Sequence, residues 1–301
     1  MSFLGIDVGG TKVALRAEGE GLEPCEISFR WPRRPAAADG PGWSADLTAL
    51  AEWTAALRER WRRPILSVGV AMPASVDAEG RVVGWPNRPS WTGLDLGSAL
   101  HALFPSAQVN WADDGDLAAL AEARAAGFQD VVYVGVGTGI AGGVLVTGRP
   151  LPGWGRGSCE LGHLVVDRSG PVCTCGRQGC VQAAASGPAT LRRATRLRGT
   201  DVSFEELAGA LADGSGWAVE AVGESCEAVA AAVVGVSELL ALDVAVIGGG
   251  FARGIPGFTD GVARAVARLA RSGRRVTVRE AALGGLSSLH GAVLLARGVG
   301  L

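Results

Sequence analysis

The sequence predicts an α/β protein of two domains with a cleft between them. Apolar strands that end in glycine clusters occur in both halves, at Gly9-Gly10, Gly137-Thr138-Gly139 and Gly248-Gly249-Gly250. Segments with helical spacing of apolar residues separate and follow them. A chain of 301 residues is long enough for two sizeable cores. The boundaries fall at 1–114 for a small N-terminal α/β domain and 115–287 for a larger one. The last helix, within 288–301, is expected to pack back on the first domain, because chain ends often lie close together.

The elements follow in order. Phe3–Val8 and Thr11–Arg16 flank Gly9-Gly10 and alternate in polarity, which predicts a hairpin. A loop rich in Pro, Gly and Ala runs from Trp31 to Gly42. Ser44 to Trp61 has helical periodicity with Ser44 as its cap. Ile65 to Met72 reads as a short apolar strand stopped by Pro73. Val131–Val136, the turn Gly137-Thr138-Gly139 and Ile140–Val146 repeat the plan of the first hairpin. Val244–Ile247 is a third apolar strand. Helices are predicted over Asp116–Ala126, Pro188–Leu197, Phe204–Ala212, Trp217–Leu242, Phe258–Arg271 and Ser288–Ala296.

Composition narrows the function. The net charge is -2 and no basic tail is present, so neither nucleic acid nor an acidic membrane is an expected partner. Met1–Gly5 lacks the basic start of a signal peptide, and the most apolar helix, near Val229–Leu242, is interrupted by charge. Three of the six cysteines fall within eight residues, unlike a scattered disulfide framework. A reduced, cytoplasmic setting is expected.

The glycine turns carry the first chemistry. Asp7, Gly9, Gly10, Thr11 and Lys12 bring a carboxylate, bare backbone, a hydroxyl and an ammonium together. Glycine lets backbone amides approach phosphate, and a carboxylate holds magnesium through water. The turn is not a Walker loop. Gly137, Thr138 and Gly139 repeat these ingredients, and Gly248, Gly249 and Gly250 offer bare backbone to an adenosine. Taken singly, each is also a plain tight turn. His163 with Cys173, Cys175 and Cys180 fits a closed tetrahedral zinc site, against the alternatives of a disulfide or buried free thiols. Asn110–Leu120 places Asp113, Asp114 and Asp116 where an apolar helix starts. Such aspartates commonly cap a helix and suit its dipole, so the stretch alone does not reveal a catalytic group.

With these motifs in place, the chain resembles the ROK family of sugar kinases and related repressors, within the actin-like ATPase superfamily, over nearly its whole length. Gly5–Lys12 resembles the first phosphate motif, Gly137–Ile140 the second and Ile247–Gly250 the adenosine motif. Cys173–Cys180 matches the zinc element CxCGxxGC, and Cys159–His163 the preceding GExGH element with Cys159 in place of Gly. The resemblance implies two actin-like (ribonuclease H-like) domains, ATP and magnesium as cofactors, structural zinc, a homodimer and cleft closure on sugar. Aligning the catalytic element on Glu122 puts its base on Asp114, which would take the proton of a primary hydroxyl attacking the γ-phosphate.

The departures concern the acceptor. The implied acceptor residues are Ala74, Asn87, Asp113, Asp114, Glu160, His163 and Gln182. Asp113 stands for the family's Asn, Gln182 for its Glu and Ala74 for a Gly, while NLPGW becomes Asn87-Arg88-Pro89-Ser90-Trp91. The first two swaps reverse hydrogen-bonding character at constant net charge. They point away from plain glucose, toward a sugar-like ring with different hydroxyls such as a C7-cyclitol of the valiolone type. The alternatives are an ordinary glucokinase or N-acetylhexosamine kinase, and a catalytically silent sugar-binding protein. A repressor of the same family would need a winged-helix domain before Gly5, where the sequence has no room.

Overall fold

A computed structural model describes residues 1–32, 42–85, 88–153 and 157–299. Asn87 and most of the Pro/Gly/Ala loop lie outside the described residues. In chain order the strands and helices begin with β1 (Ser2–Val8), β2 (Lys12–Gly19), β3 (Cys25–Arg30), α1 (Ser44–Trp61), β4 (Ser67–Ala71), β5 (Ser75–Val76) and β6 (Val82–Gly84). There follow α2 (Leu96–Leu103), β7 (Gln108–Ala112), α3 (Asp114–Ala126), β8 (Val131–Val136), β9 (Ile140–Val146) and β10 (Arg149–Leu151). The remainder are α4 (Val181–Ala185), α5 (Gly187–Arg198), α6 (Phe204–Ala212), α7 (Gly216–Leu240), β11 (Val244–Gly248), α8 (Gly250–Gly254), α9 (Phe258–Leu269), β12 (Thr277–Glu280) and α10 (Ser287–Ala296).

The chain divides into two compact units. Unit 1 holds 1–121, 152–158 and 286–301; unit 2 holds 122–151 and 159–285. The dividing point lies inside α3, after Ala121, rather than at the residue where the sequence reading placed it. Each unit is built on one five-stranded sheet, ordered β3-β2-β1-β4-β7 in unit 1 and β10-β9-β8-β11-β12 in unit 2. In both, three antiparallel strands continue into two parallel ones. The mixed α/β class and the repeated hairpin plan are as the sequence predicts.

In unit 1, β1 and β4 carry the buried run of Leu4, Ile6, Val68 and Val70, and α10 packs on both strands. The helix belongs to unit 1, and small residues set its distance from the sheet. A Cβ on Gly69 would sit 2.0 Å from the carbonyl oxygen of Ala292, and one on Gly5 2.8 Å from the Val293 nitrogen. Backbone cannot yield as a side-chain tip does. Gly69→Ala is therefore expected to lower stability by about 3 kcal/mol or more, read as a fall in the urea midpoint. Gly84→Ala is the matched control, since no atom lies within 4 Å of its added Cβ.

In unit 2, β8 is buried along its whole length, and α7 supplies much of the core through Ala221, Val229, Ala230 and Val233. Among the described residues no helix is long and apolar enough to cross a membrane. One local expectation is corrected: Ser44 is the first residue of α1, not its cap. Trp43 takes the cap position and makes no side-chain capping bond.

Candidate active site and metal centre

In unit 1 the structure brings Asp7, Asp113 and Asp114 together. Asp7 is the penultimate residue of β1, and Asp114 opens α3 directly after β7 and Asp113. The Asp113 carboxylate accepts the Gly115 amide at 3.0 Å, so it does serve the helix start. Asp114 is a different case. Burial, then the charges of Asp113 and Asp7, hold its carboxyl well above the ordinary carboxylate range. Burial also pushes Asp7 up to about 6, although the Ser288 hydroxyl and the Lys12 charge pull the other way. That hydroxyl donates to Asp7 Oδ2 at 2.9 Å from the start of α10.

Beside Asp7 the chain turns through Gly9-Gly10, with the Gly9 amide donating to the Lys12 carbonyl at 3.0 Å. The far side of this turn is held by two side chains, themselves supported by two more, that the sequence reading did not connect. Trp31 Nε1 donates to the Gly9 carbonyl at 2.8 Å, and Arg88 Nη1 to the Gly10 carbonyl at 3.1 Å. Arg88 is itself gripped by Asp46, a residue of α1 with no exposed surface, through contacts of 3.2 and 2.6 Å. Trp91 Nε1 donates to the same carboxylate at 2.8 Å. The one signal available beforehand was the departure at Arg88; its partner lies 42 residues earlier in the chain. Ala74 lies just before β5, half-buried against the unit 1 core.

In unit 2 the turns at 137–139 and 248–250 end neighbouring strands, since β8 and β11 pair in parallel with Gly248 opposite Gly135. Gly249 has φ +89°, and a Cβ there would lie 2.4 Å from the Val136 carbonyl oxygen, so only glycine brings these backbones so close. The Gly187 amide, at the start of α5, donates to the Gly137 carbonyl at 2.8 Å. Gln182 reaches the same turn: its Oε1 accepts the Ile140 amide at 3.2 Å. The structure thus places Gln182 against the Gly137–Gly139 turn, a placement that its swap for Glu did not reveal.

The metal-binding expectation meets a direct test of fit. The ligand atoms of His163, Cys173, Cys175 and Cys180 all lie within 4.8 Å of one another. Cys175 and Cys180 sulfurs are 3.7 Å apart, and Cys173 Sγ is 3.6 Å from His163 Nδ1. Tetrahedral bonds of about 2.3 Å to sulfur and about 2.0 Å to nitrogen would put such pairs roughly 3.5–3.8 Å apart. Burial pushes the Cys180 thiol up to about 12, so its thiolate is disfavoured at neutral pH without a cation beside it. The four residues fit a zinc ion. Glu160 sits beside them at φ 43°, an uncommon conformation for a residue with a side chain. Its carboxylate is 4.0 Å from His163 Nε2, the nitrogen turned away from the cysteines. At that separation the two are within ion-pair reach and not hydrogen-bonded.

With this geometry established, comparison with known proteins adds four findings. A sequence-family model described as the ROK family matches residues 3–299. A protein of Amycolatopsis mediterranei named kanosamine kinase is 55% identical over 294 residues, which are 97% of this chain and 95% of that one. The crystal structure of a ROK hexokinase from Thermus thermophilus is alike at TM-score 0.84 and 30% identity, covering 99% of this chain and 98% of that one. A ROK family glucokinase from Streptomyces griseus, crystallised with glucose and AMPPNP, reaches TM-score 0.81 at 25% identity, covering 99% and 100%.

Proposed function

The chain belongs to the ROK family, and from that premise we propose that it phosphorylates the primary hydroxyl of an amino sugar of the kanosamine type. It is an ATP-dependent sugar phosphotransferase with the two-domain actin-like fold of that family. The acceptor and the residue roles are the proposed parts.

The observation that carries the acceptor is the likeness to the kanosamine kinase along nearly the whole of both chains. Asp113 agrees with it. Kanosamine bears an ammonium in place of a ring hydroxyl, and a carboxylate is the natural partner of an ammonium. Asp113 adjoins Asp114, so an acceptor whose reacting hydroxyl faces Asp114 passes close to it. Asp114 takes the proton of that hydroxyl while its oxygen bonds to the γ-phosphorus and ADP departs. Magnesium-ATP supplies the transferable group and spreads the developing charge. Asp7 is assigned to magnesium through water, and Gly9, Gly10, Thr11 and Lys12 to the phosphates. Gly137, Thr138 and Gly139 share that task, and Gly248–Gly250 take the adenosine. Glu160 and His163 are assigned to acceptor hydroxyls, and zinc to His163, Cys173, Cys175 and Cys180. A homodimer belongs to the same proposal, with light scattering as its check.

The test is ADP release with ATP and magnesium over kanosamine, glucose, N-acetylmannosamine and a valiolone-type cyclitol. Kanosamine is expected to give the highest kcat/KM. Turnover of the cyclitol alone would restore the acceptor expected from the sequence. Binding without turnover of any would mean a silent binder. Asp113→Asn separates the contribution of this carboxylate, because Asn keeps the cap to Gly115. The variant is expected to lose about 10–100-fold in the kcat/KM ratio of kanosamine over glucose. An unchanged ratio would remove Asp113 from acceptor selection.

A further inference from the structure

We infer that Arg88 is a positioning residue that aims the backbone amides of the Gly9–Thr11 turn at the nucleotide phosphates, with Asp46 and Trp31 as its supports. The inference rests on the proposed assignment of that turn to ATP.

Three consecutive carbonyls of the turn are held from one side. Trp31 Nε1 takes that of Gly9 at 2.8 Å, Arg88 Nη1 that of Gly10 at 3.1 Å, and the Trp31 backbone amide that of Thr11 at 3.3 Å. In a trans peptide the N–H points opposite the carbonyl that precedes it. Holding the Gly9 and Gly10 carbonyls therefore turns the amides of Gly10 and Thr11 the other way. Successive amides exposed on one side of a turn form an anion cradle. Two glycines in sequence would otherwise let these peptides rotate at little cost. The clamp removes that freedom before the nucleotide arrives, so less ordering remains to oppose binding.

The clamp is built to stay in register. The guanidinium lies over the Trp31 ring, with Cζ 4.6 Å from its centroid. Asp46 holds Nε and Nη2 together and is fixed in turn by Trp91. A buried pair serving stability alone gains little over apolar packing, whereas this one is also bonded to the turn through Arg88 Nη1. The ROK motif that Asn87–Trp91 resembles has leucine at this place, and leucine has no donor.

The test pairs Arg88→Met with Asp46→Asn in one chain. No buried charge is stranded, and the introduced amide oxygen still accepts from Trp91. The steady-state KM for ATP, the KM for the acceptor and the urea midpoint are measured together. The expected result is a rise of about 10-fold in the KM for ATP, an acceptor KM within about twofold of wild type, and a nearly unchanged midpoint. Arg88→Lys keeps the charge on Asp46 but cannot span to Gly10 as well. It should show the same split at smaller size, and it decides the matter if the double variant fails to fold. A KM for ATP unchanged in a folded, active variant overturns the inference, as does an equal rise in both KM values. Absence of ATP-dependent turnover in the wild type would instead overturn the kinase reading, and this inference with it.

Discussion

Asp114→Asn is expected to lower kcat by about 10²–10⁴-fold while the KM values for ATP and acceptor stay within a few fold. Asn keeps the shape of the side chain and its place at the start of α3, but cannot accept the proton. A second effect comes from the same electrostatics. Desolvation of the half-buried Asp114, then the charges of Asp113 and Asp7, disfavour its ionised form in the folded chain. The magnesium-free variant is therefore expected to melt higher than wild type near pH 7. Activity and stability would move in opposite directions, as happens where a site stores unfavourable charge. Asp7 fixes the sign of the pH dependence. Its carboxyl is raised from 3.8 to about 6 on folding, so the folded state binds this proton more tightly than the unfolded state. Stability from this group is complete below about 3.8 and is lost as the pH rises through about 6. Urea midpoints of the magnesium-free wild type should accordingly include a component that falls across this window, and Asp7→Asn should remove it. A wild-type rate in Asp114→Asn would show that the base lies elsewhere.

Cys175→Ser is the second large change. Cys175 is exposed, so the substitution leaves no cavity, and any loss reports the metal. Zinc content is expected to fall from about one per chain to near zero. Zinc sites of this type supply roughly 10–16 kcal/mol of apparent binding energy in small peptides. Here the loop is also tied to the core through Val181 and Leu161, which are buried, so only part of that figure is at stake. A loss of about 3 kcal/mol or more is expected, roughly 10 °C in the midpoint of unit 2. Amide exchange in 171–180 should rise ahead of the rest of the unit. The acceptor KM should rise too, because His163 would lose the bond that holds its ring beside Glu160. Unchanged zinc content would exclude Cys175 as a ligand.

The parts of this molecule legible in the sequence are those written in local pattern. The hairpins at Gly9-Gly10 and Gly137–Gly139 were readable because alternation and turn residues coincide within about fifteen positions. The long core helix α7 was readable from its apolar spacing, to within one residue at its start and two at its end. β7 was not, because Gln108–Ala112 mixes polar and aromatic residues and runs into the aspartates of α3 without a turn signal. β3 was missed although Ile27 and Phe29 point inward from it, since only pairing with β2 gives that alternation meaning. The site divides in the same way. Glycines and the Cys-x-Cys spacing announce themselves; the Asp46–Arg88–Trp31 clamp joins three distant positions and becomes visible only once α1 and the segment before Trp91 are folded together.

Strands β1 and β4 leave the ribosome roughly 200–280 residues before the helix that covers one face of them. At about 5–20 residues per second, the face of these strands that carries Gly5 and Gly69 waits for α10 for roughly 10–55 s. Unit 2, made in between, has every one of its strands in hand before α10 is translated. The half of the protein that starts first is thus the half that matures last, and during synthesis it is the natural client for a chaperone.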